Sequence, residues 1–259
     1  NALVIVDCDC DGFTSSALLI NYLYELFPAW VTNHLKWFIH ENKEHGLSDV
    51  MTYIFQKGCF DLIIVPDAGS NDYEYHKELK ECGKTVVILD HHEAEKISED
   101  AIVINNQLST NYPNKSFSGA GVVYKFLMVM DELMGKPGHC EKYMDLCALA
   151  NVADCMSMKH PETRYYIMEG LKHINNDGFK AFINQQSYSL FKETKELGYI
   201  NVAFYIVPLL NAIVRVGTME EKRLLFNAFI NPHELIQTDK RGAKAGDMEE
   251  TCVEMARRA

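Results

Sequence analysis

The sequence predicts an α/β fold, a mostly parallel sheet with helices on both faces, followed by a helical C-terminal part. Two observations predict it. Five short apolar runs alternate with helical periodicity over residues 1–117, and helix follows helix from residue 118 onward. Strands that are apolar throughout are typical of parallel sheets buried on both faces. A chain of 259 residues is long enough to bury a large core.

The predicted strands are short apolar runs that end in polar turns: Ala2–Val6, Trp37–His40, Leu62–Pro66, Thr85–Leu89 and Ala101–Asn105. The predicted helices have apolar residues at a period near 3.6. They are Ser15–Phe27 with Thr14 as candidate N-cap, Asp49–Gln56, Asp72–Cys82, Gly119–Met134, Lys142–Ala153, Glu162–Ile174, Val202–Val214 and Met219–Phe229. A polar segment at 237–246 indicates a linker, and Met248–Arg258 is expected to be a last helix.

The charge is concentrated in the first hundred residues. The net charge is −11, and residues 1–100 hold 18 acids, 7 lysines and no arginine, so the remainder is neutral. This balance argues against a protein that holds nucleic acid by bulk charge alone. No uninterrupted apolar run reaches about 18 residues, and the eight cysteines show no CxxC pair. We therefore expect reduced thiols, a cytoplasmic location and no membrane partner.

Alternating acids directly follow the first strand, in the sequence Asp7-Cys8-Asp9-Cys10-Asp11-Gly12. On an extended chain three alternate carboxylates project to one side, where their repulsion favours a cation between them. Oxygen ligands suit magnesium or manganese. A solvated acidic loop is the alternative. A calcium-type loop is excluded because position 18, where its closing Glu belongs, is Leu.

Three further polar groups end apolar elements: Asp67, the run Asp90-His91-His92, and Asp154. A helix cap would explain Asp67 alone, and an exposed loop would explain the two histidines. Ligands of open parallel sheets bind at the carboxyl ends of the strands, and three of the four groups fall at such ends. Together they supply oxygen and imidazole ligands for two divalent cations.

The order of these motifs resembles the DHH phosphoesterase superfamily. Two further segments resemble its RecJ-type single-strand exonucleases, namely Ser118-Gly119-Ala120-Gly121 and Asn211-Ala212-Ile213-Val214-Arg215. The resemblance implies a two-metal, manganese- or magnesium-dependent exonuclease that degrades single-stranded DNA from 5′ to 3′. It also implies that residues 1–235 are the catalytic domain, with an α/β region at 1–117 and a helical region at 118–235. Residues 236–259 would be the linker and connector helix toward a C-terminal accessory domain that this chain lacks.

The resemblance also assigns roles to individual residues. Asp9 and Asp67 would bind one ion, and Asp11, Asp67, His91 and Asp154 the other. Asp7 would support the cluster as ligand or from its edge. Asp90 would orient the imidazole of the neighbouring histidine. His92 would face the substrate phosphate or protonate the leaving oxygen, and Arg215 would hold a phosphate.

Helix starts offer further candidates for phosphate binding. Backbone N–H groups near Thr14 and at Ser118, Gly119 and Gly121 could cradle a phosphate. An ordinary glycine-rich helix entry is the alternative at the second place. Tyr165 and Tyr166 could stack bases, or they could belong to the core.

Three other functions share parts of this pattern. A DHH phosphodiesterase acting on short oligonucleotides, 3′-phosphoadenosine 5′-phosphate or cyclic dinucleotides shares the core motifs. A non-catalytic RecJ-like replisome scaffold would lack metal ligands, whereas all ligand positions are filled here. A family II-type pyrophosphatase is disfavoured by Ile5, where that family expects His. The expected partners are single-stranded nucleic acid, DNA rather than RNA, and single-strand-binding or replication proteins. We expect a monomer.

Overall fold

The computed structural model describes residues 1–41, 45–192 and 196–231, and the backbone of 235–237 and 249–251. Five parallel strands form one sheet in the order β2-β1-β3-β4-β5. They are β1 (Ala2–Val6), β2 (Leu35–Ile39), β3 (Leu62–Pro66), β4 (Thr85–Asp90) and β5 (Ile102–Asn105). The predicted parallel α/β fold is confirmed.

Twelve α-helices lie in the described residues of the chain, and a short 3₁₀ helix at His139–Tyr143 precedes the sixth. They are α1 (Cys10–Leu26), α2 (Pro28–His34), α3 (Met51–Lys57), α4 (Tyr73–Glu81), α5 (Gly119–Leu133), α6 (Met144–Ala153), α7 (Pro161–Gly170), α8 (Asp177–Gln185), α9 (Ser187–Leu190), α10 (Tyr199–Tyr205), α11 (Val207–Val216) and α12 (Met219–Ile230). The sequence analysis missed α2, α8 and α9, of which α2 and α9 are short.

Alternate residues of β1 pack into two hydrophobic cores, one on each face of the sheet. Leu3 and Ile5 of β1 pack with α3 and α4 on one face, while Val4 and Val6 point into the larger core on the other. The larger core holds the buried faces of α1, α5, α6 and α12. The helical region therefore packs directly on the sheet, and the carboxyl ends of the strands lie beside α1, α5 and α11.

Two predicted boundaries are wrong. Helix α1 begins at Cys10, not after Thr14, because the Asp9 side chain caps it by accepting from the Gly12 N–H at 2.9 Å. At the other end, Glu249–Thr251 forms strand β7, which pairs antiparallel with β6 (Leu235–Gln237). The predicted helix Met248–Arg258 is therefore wrong at its start, and its remainder lies outside the described residues.

One segment, Tyr199–Val216, is long and apolar enough to cross a bilayer by length and composition alone, although polar residues interrupt it. The structure divides it at Ile206 into α10 and α11. Its residues Val202, Ile206, Leu210 and Val214 are buried in the larger core. One side of the segment thus has a partner within the protein, while less than a third of its residues are buried.

Candidate metal centre

Three buried carboxylates lie at the carboxyl ends of neighbouring strands. Asp7 follows β1, Asp67 follows β3, and Asp90 is the last residue of β4. Each is about 1% exposed. Because β3 lies between β1 and β4, Asp67 is the central member of the group.

Asp11 reaches this group from the first turn of α1, not from an extended chain. Its Oδ2 accepts from the Gly119 N–H at 2.6 Å and its Oδ1 from the Ala120 N–H at 2.8 Å. A Cβ on Gly12 would lie 2.5 Å from the Asp7 Cβ, so only glycine lets α1 start this close to β1. The expectation that Asp7, Asp9 and Asp11 alternate on one extended strand is therefore wrong for Asp11.

The backbone of Asp67 is held in a left-handed conformation with φ of 68°, a conformation that non-glycine residues seldom adopt. Its N–H donates to the Leu89 carbonyl at 2.7 Å. A Cβ on Gly119 would lie 2.2 Å from Asp67 Oδ1, so glycine is needed where α5 meets the carboxylate. Such local strain is common at functional sites, where surrounding packing sustains it.

The ligand atoms of these residues converge into overlapping groups. Atoms within 4.8 Å of one another come from Asp7, Asp9 and Asp67, from Asp11, His91 and Asp154, and from Asp67, His91 and His92. The His91 Nε2 lies 3.2 Å from Asp67 Oδ1, 3.3 Å from Asp154 Oδ2 and 3.7 Å from Asp11 Oδ2. The structure thus brings together all six residues predicted as metal ligands, although their assignment to particular ions stays a prediction.

These side chains fit divalent cations. Among the described residues, no group makes a hydrogen bond to the buried Asp7 Oδ1 or Asp67 Oδ1. Burial and then the charge of Asp11 raise the pKa of Asp67 well above its usual range, and burial and Asp154 raise that of Asp11. Burial also raises the pKa of Asp9. Carboxylates crowded in this way are costly as bare anions, and a cation of the magnesium or manganese type would offset that cost.

The ring that Asp90 orients is that of His92. Asp90 Oδ1 accepts from the His92 Nδ1 at 2.8 Å and from the backbone N–H of His91 at 2.7 Å. Burial alone would raise the pKa of Asp90, but the hydrogen bonds from His92 hold it below its usual range. The same hydrogen bond raises the pKa of His92 to about 9. The His92 side chain is 56% exposed, so it lies at the mouth of the site.

His45 is a site residue that the sequence analysis missed. Its Nδ1 lies 2.7 Å from Asp7 Oδ2, and this hydrogen bond raises the pKa of His45. Its side chain is 59% exposed. Since β1 and β4 flank β3, the pairs Asp7–His45 and Asp90–His92 lie on either side of Asp67. The one available signal was its place after β2, the strand beside β1.

The predicted phosphate cradle at the start of α5 is wrong. Ser118, Gly119 and Gly121 are buried, and their N–H groups already have acceptors. The Ser118 N–H donates to Asn151 Oδ1, the Gly119 N–H to Asp11 and the Gly121 N–H to Ser118 Oγ. The second predicted cradle, near Thr14, lies inside α1. The start of α5 positions a carboxylate of the cluster, and the N–H groups of these three residues are already used within the protein.

Helix α11 borders the site from the helical region. Asn211 Oδ1 accepts from the Cys10 N–H at 3.0 Å, and the Val214 carbonyl lies 3.9 Å from the Cys8 Sγ. Arg215, in the last turn of α11, is exposed, and its charge lowers the pKa of Asp9 against the effect of burial. Arg215 therefore lies on the side of the cluster, as its predicted role requires. Of the two predicted stacking residues, Tyr166 is buried in the core and Tyr165 is exposed.

Comparison with known proteins gives a consistent picture. The profile described as "DHH family, N-terminal domain" matches residues 1–151. A Bacillus subtilis protein named as an SPbeta prophage-derived single-strand DNA-specific exonuclease, YorK, is 40% identical over 245 residues, which are 92% of this chain and 40% of YorK. The single-stranded-DNA-specific exonuclease RecJ of the same organism is 29% identical over 222 residues, 83% of this chain and 26% of RecJ.

Solved structures agree with the fold. A crystal structure of exonuclease RecJ bound to manganese superposes with a TM-score of 0.71 at 26% identity, covering 88% of this chain and 57% of that one. RecJ from Thermus thermophilus in complex with Mn²⁺ gives a TM-score of 0.73 at 24% identity, with 99% and 34% covered. The chain thus spans less than two thirds of the length of each of these proteins.

Proposed function

Because the chain belongs to the DHH family, we propose that it is a metal-dependent hydrolase of phosphodiester bonds that binds two divalent cations, manganese or magnesium. More narrowly, we propose a RecJ-like exonuclease that degrades single-stranded DNA from the 5′ end, with residues 1–235 as its catalytic domain. The observation that carries the proposal is the convergence of six ligand side chains, Asp67 among them, in overlapping groups, with two buried oxygens lacking a hydrogen-bond partner among the described residues.

The proposed ligand sets follow the observed groups. Asp7, Asp9 and Asp67, one observed group, would hold one cation. The observed group of Asp11, His91 and Asp154 would hold the other, together with Asp67, whose Oδ1 lies 3.2 Å from His91 Nε2. When bound, the two cations supply Lewis acidity and activate water at neutral pH. The protein holds the ligands for them in advance: α5 fixes Asp11, and the left-handed turn fixes Asp67. Preformed geometry of this kind is what two-metal hydrolysis needs.

The exposed cationic side chains at the mouth would hold the substrate. His92 is fixed through its Nδ1 by Asp90, so its other ring nitrogen is available to a phosphate oxygen or to the leaving oxygen. Arg215 presents a planar fork suited to a phosphate of the strand. Both groups lie beside the carboxylate cluster in a chain of net charge −11, where the approach of a polyanion needs local cations.

The test compares Asp67→Asn with the unaltered chain on single strands of about 30 nucleotides blocked at the 5′ or the 3′ end, with manganese. We expect release of nucleotides from strands with a free 5′ end and a loss of about 10³-fold or more in Asp67→Asn, since a shared metal ligand is removed. Asparagine keeps the shape of the side chain and tolerates the left-handed backbone. Activity of the variant within about tenfold of the unaltered chain would overturn the two-metal proposal. Degradation of 5′-blocked strands only would overturn the polarity.

A further inference from the structure

Lys222 of α12 is the one buried lysine among the described residues, and it lies outside the predicted ligand set. Its side chain is 1% exposed, and no carboxylate of the described residues forms an ion pair with it. Burying an ammonium group costs free energy unless hydrogen bonds compensate the loss of water. The contacts of this group therefore indicate what the lysine does.

The ammonium group of Lys222 has acceptors from two segments of the chain. Its Nζ donates to the Glu41 carbonyl at 2.7 Å, to the His40 carbonyl at 3.4 Å and to the Cys8 Sγ at 3.6 Å. The Cys8 thiol in turn donates to the His40 carbonyl at 3.4 Å. An ammonium group has three donors, and three acceptors lie within its reach here. A neutral aliphatic side chain of the same length could make none of these hydrogen bonds.

These contacts lie where the first two strands of the sheet separate. The β1–β2 ladder stops at the last residue of each strand. Beyond it, the chain after β1 carries Asp7 and Asp9, and the chain after β2 leads to His45, which contacts Asp7 at 2.7 Å. Cys8 is the residue between the two predicted ligands. Lys222 thus joins the two chain segments at the point where the described ladder no longer does.

The other group of predicted ligands is anchored elsewhere. Asp11 accepts from two N–H groups at the start of α5, and Asp154 is the C-cap residue of α6. The hydrogen bonds of the Lys222 side chain go to neither of these helices. Lys222 therefore bears on the ligands of one proposed cation and not on those of the other.

We propose that Lys222 is a positioning residue that holds Asp7 and Asp9 in place for one of the two cations, through Cys8 and the carbonyls that follow β2. The inference rests on the proposed function and adds to it a residue whose hydrogen bonds go to no predicted ligand. The direction of the effect is testable. Removal of a positive charge by itself should strengthen the binding of a cation nearby. Weaker manganese binding after loss of this charge would therefore indicate displaced ligands.

The first test is calorimetric titration of manganese into the metal-free unaltered chain and into Lys222→Met. Methionine keeps the length and most of the volume of the side chain, so the core stays filled. We expect one of the two binding steps to weaken about 10- to 100-fold, as for other side chains that orient metal ligands, and the other to change less than about threefold. The weakened step should be the one that Asp9→Asn abolishes.

Tyr22→Phe is the matched control for the loss of a buried hydrogen bond. Tyr22 is buried, and its hydroxyl donates to Asp131 at 2.7 Å, a contact that involves no predicted ligand. We expect both manganese binding steps to be unchanged in this variant.

Cys8→Ala is a second variant, which carries the test if Lys222→Met does not fold. Because Lys222 acts through Cys8, this variant should weaken the same binding step. The two changes together should weaken it less than the product of their separate effects, since residues in contact are energetically coupled.

Activity on single strands separates this role from a role in substrate binding. Lys222 is buried and cannot touch the strand. In Lys222→Met the manganese concentration for half-maximal activity should rise, while KM for the strand at saturating manganese stays within about twofold of the unaltered value. Manganese affinity that is unchanged or increased in both variants, an equal weakening of both steps, or a raised KM would overturn the positioning role.

Failure of the proposed function would be recognised separately. If the unaltered chain binds no manganese, the two-metal proposal and the positioning role are both wrong. If manganese binds but single strands are not degraded, the proposed exonuclease is wrong, and the calorimetric comparison still decides the role of Lys222. If the unaltered chain binds manganese and cleaves strands while Lys222→Met and Cys8→Ala match it at every manganese concentration, only the positioning role is wrong.

Discussion

Two sets of buried carboxylates differ in whether their oxygens accept hydrogen bonds within the protein. Asp131 and Asp145, in the helical region, are about 1% exposed, as are Asp7 and Asp67 in the metal centre. Asp131 accepts from the Tyr22 hydroxyl and the Cys140 N–H, both at 2.7 Å. Asp145 accepts from the N–H groups of Asn175, Asn176 and Leu146. Each of the two carboxylates in the helical region is satisfied within the protein.

Burial alone therefore does not distinguish a functional acid from a structural one. Hydrogen-bond partners hold the pKa of Asp131 below its usual range against the effect of burial. Burial raises the pKa of Asp145 to about 6 despite its N–H donors, and burial and neighbouring acids raise that of Asp67 well above its usual range. Both oxygens of Asp131 and of Asp145 accept hydrogen bonds, so their burial costs less than that of bare carboxylates. Asp7 Oδ1 and Asp67 Oδ1 have no hydrogen-bond partner among the described residues, which is expected of a preformed metal site.

The largest effect is expected from manganese binding, which should depend on Asp67 in the metal-ligand cluster and not on Asp145 in the helical region. Manganese at about 100 times its Kd should stabilise the unaltered chain by about 2.7 kcal/mol, seen as a rise in melting temperature. Asp67→Asn should lose most of that rise, while its metal-free form melts at the same or a higher temperature because repulsion is relieved. Asp145→Asn should keep the rise but lose about 1–3 kcal/mol of stability without metal, because N–H donors lose their acceptor.

Differential scanning fluorimetry with a manganese titration measures both quantities on one instrument. Asp131→Asn is a second control from the satisfied set and should behave like Asp145→Asn. A metal-free Asp67→Asn that melts well below the unaltered chain would show that the two sets do not differ in this way.

The next largest effect is expected from replacing either of two glycines in the first turn of α5 by alanine. A Cβ on Gly119 would meet Asp67 Oδ1 at 2.2 Å, whereas a Cβ on Gly121 would meet the Phe117 ring at 2.7 Å. Gly119→Ala should weaken manganese binding and activity about 100-fold by displacing a ligand. Gly121→Ala should lower stability by about 1–3 kcal/mol through overpacking, with little change in manganese affinity once folded.

Calorimetric titration of manganese into both variants, together with their melting curves, checks this pair. If the two alanines had the same effect on metal affinity, the glycine at 119 would be serving the packing of α5 in general and not the placement of Asp67.

The sequence predicted the sheet and the ligand cluster well, because both follow from local patterns. Continuous apolar runs mark buried parallel strands, and the carboxyl ends of such strands meet at one edge, so Asp67 and Asp90 could be placed together. The phosphate cradle predicted at the start of α5 was wrong because the partners of its N–H groups do not follow from a local pattern. A glycine-rich helix start is a general anion site, and only the tertiary fold brings Asp11 to it, from 108 residues away.

The sequence analysis missed His45 for a related reason. Its contact with Asp7 depends on the order of β2 beside β1, which no local pattern encodes. The start of α1 was missed because a run of acids suggests a loop, although Asp9 in fact caps the helix. Local sequence patterns were thus sufficient to predict most helices and strands. They were insufficient to predict contacts between residues of different elements.

The smallest expected effect tests whether the hydrogen bond from His45 orients Asp7 as a metal ligand. Replacing His45 by Gln should weaken manganese binding about tenfold, since a side chain that orients a metal ligand typically contributes about 10- to 100-fold. His34→Gln is the matched control, because His34 is also an exposed histidine with a hydrogen bond, to Asn1 at 3.0 Å, but lies before β2 at the opposite edge of the sheet. A change confined to KM for the strand, with manganese affinity intact, would show instead that His45 contacts substrate and that Asp7 is fixed without it.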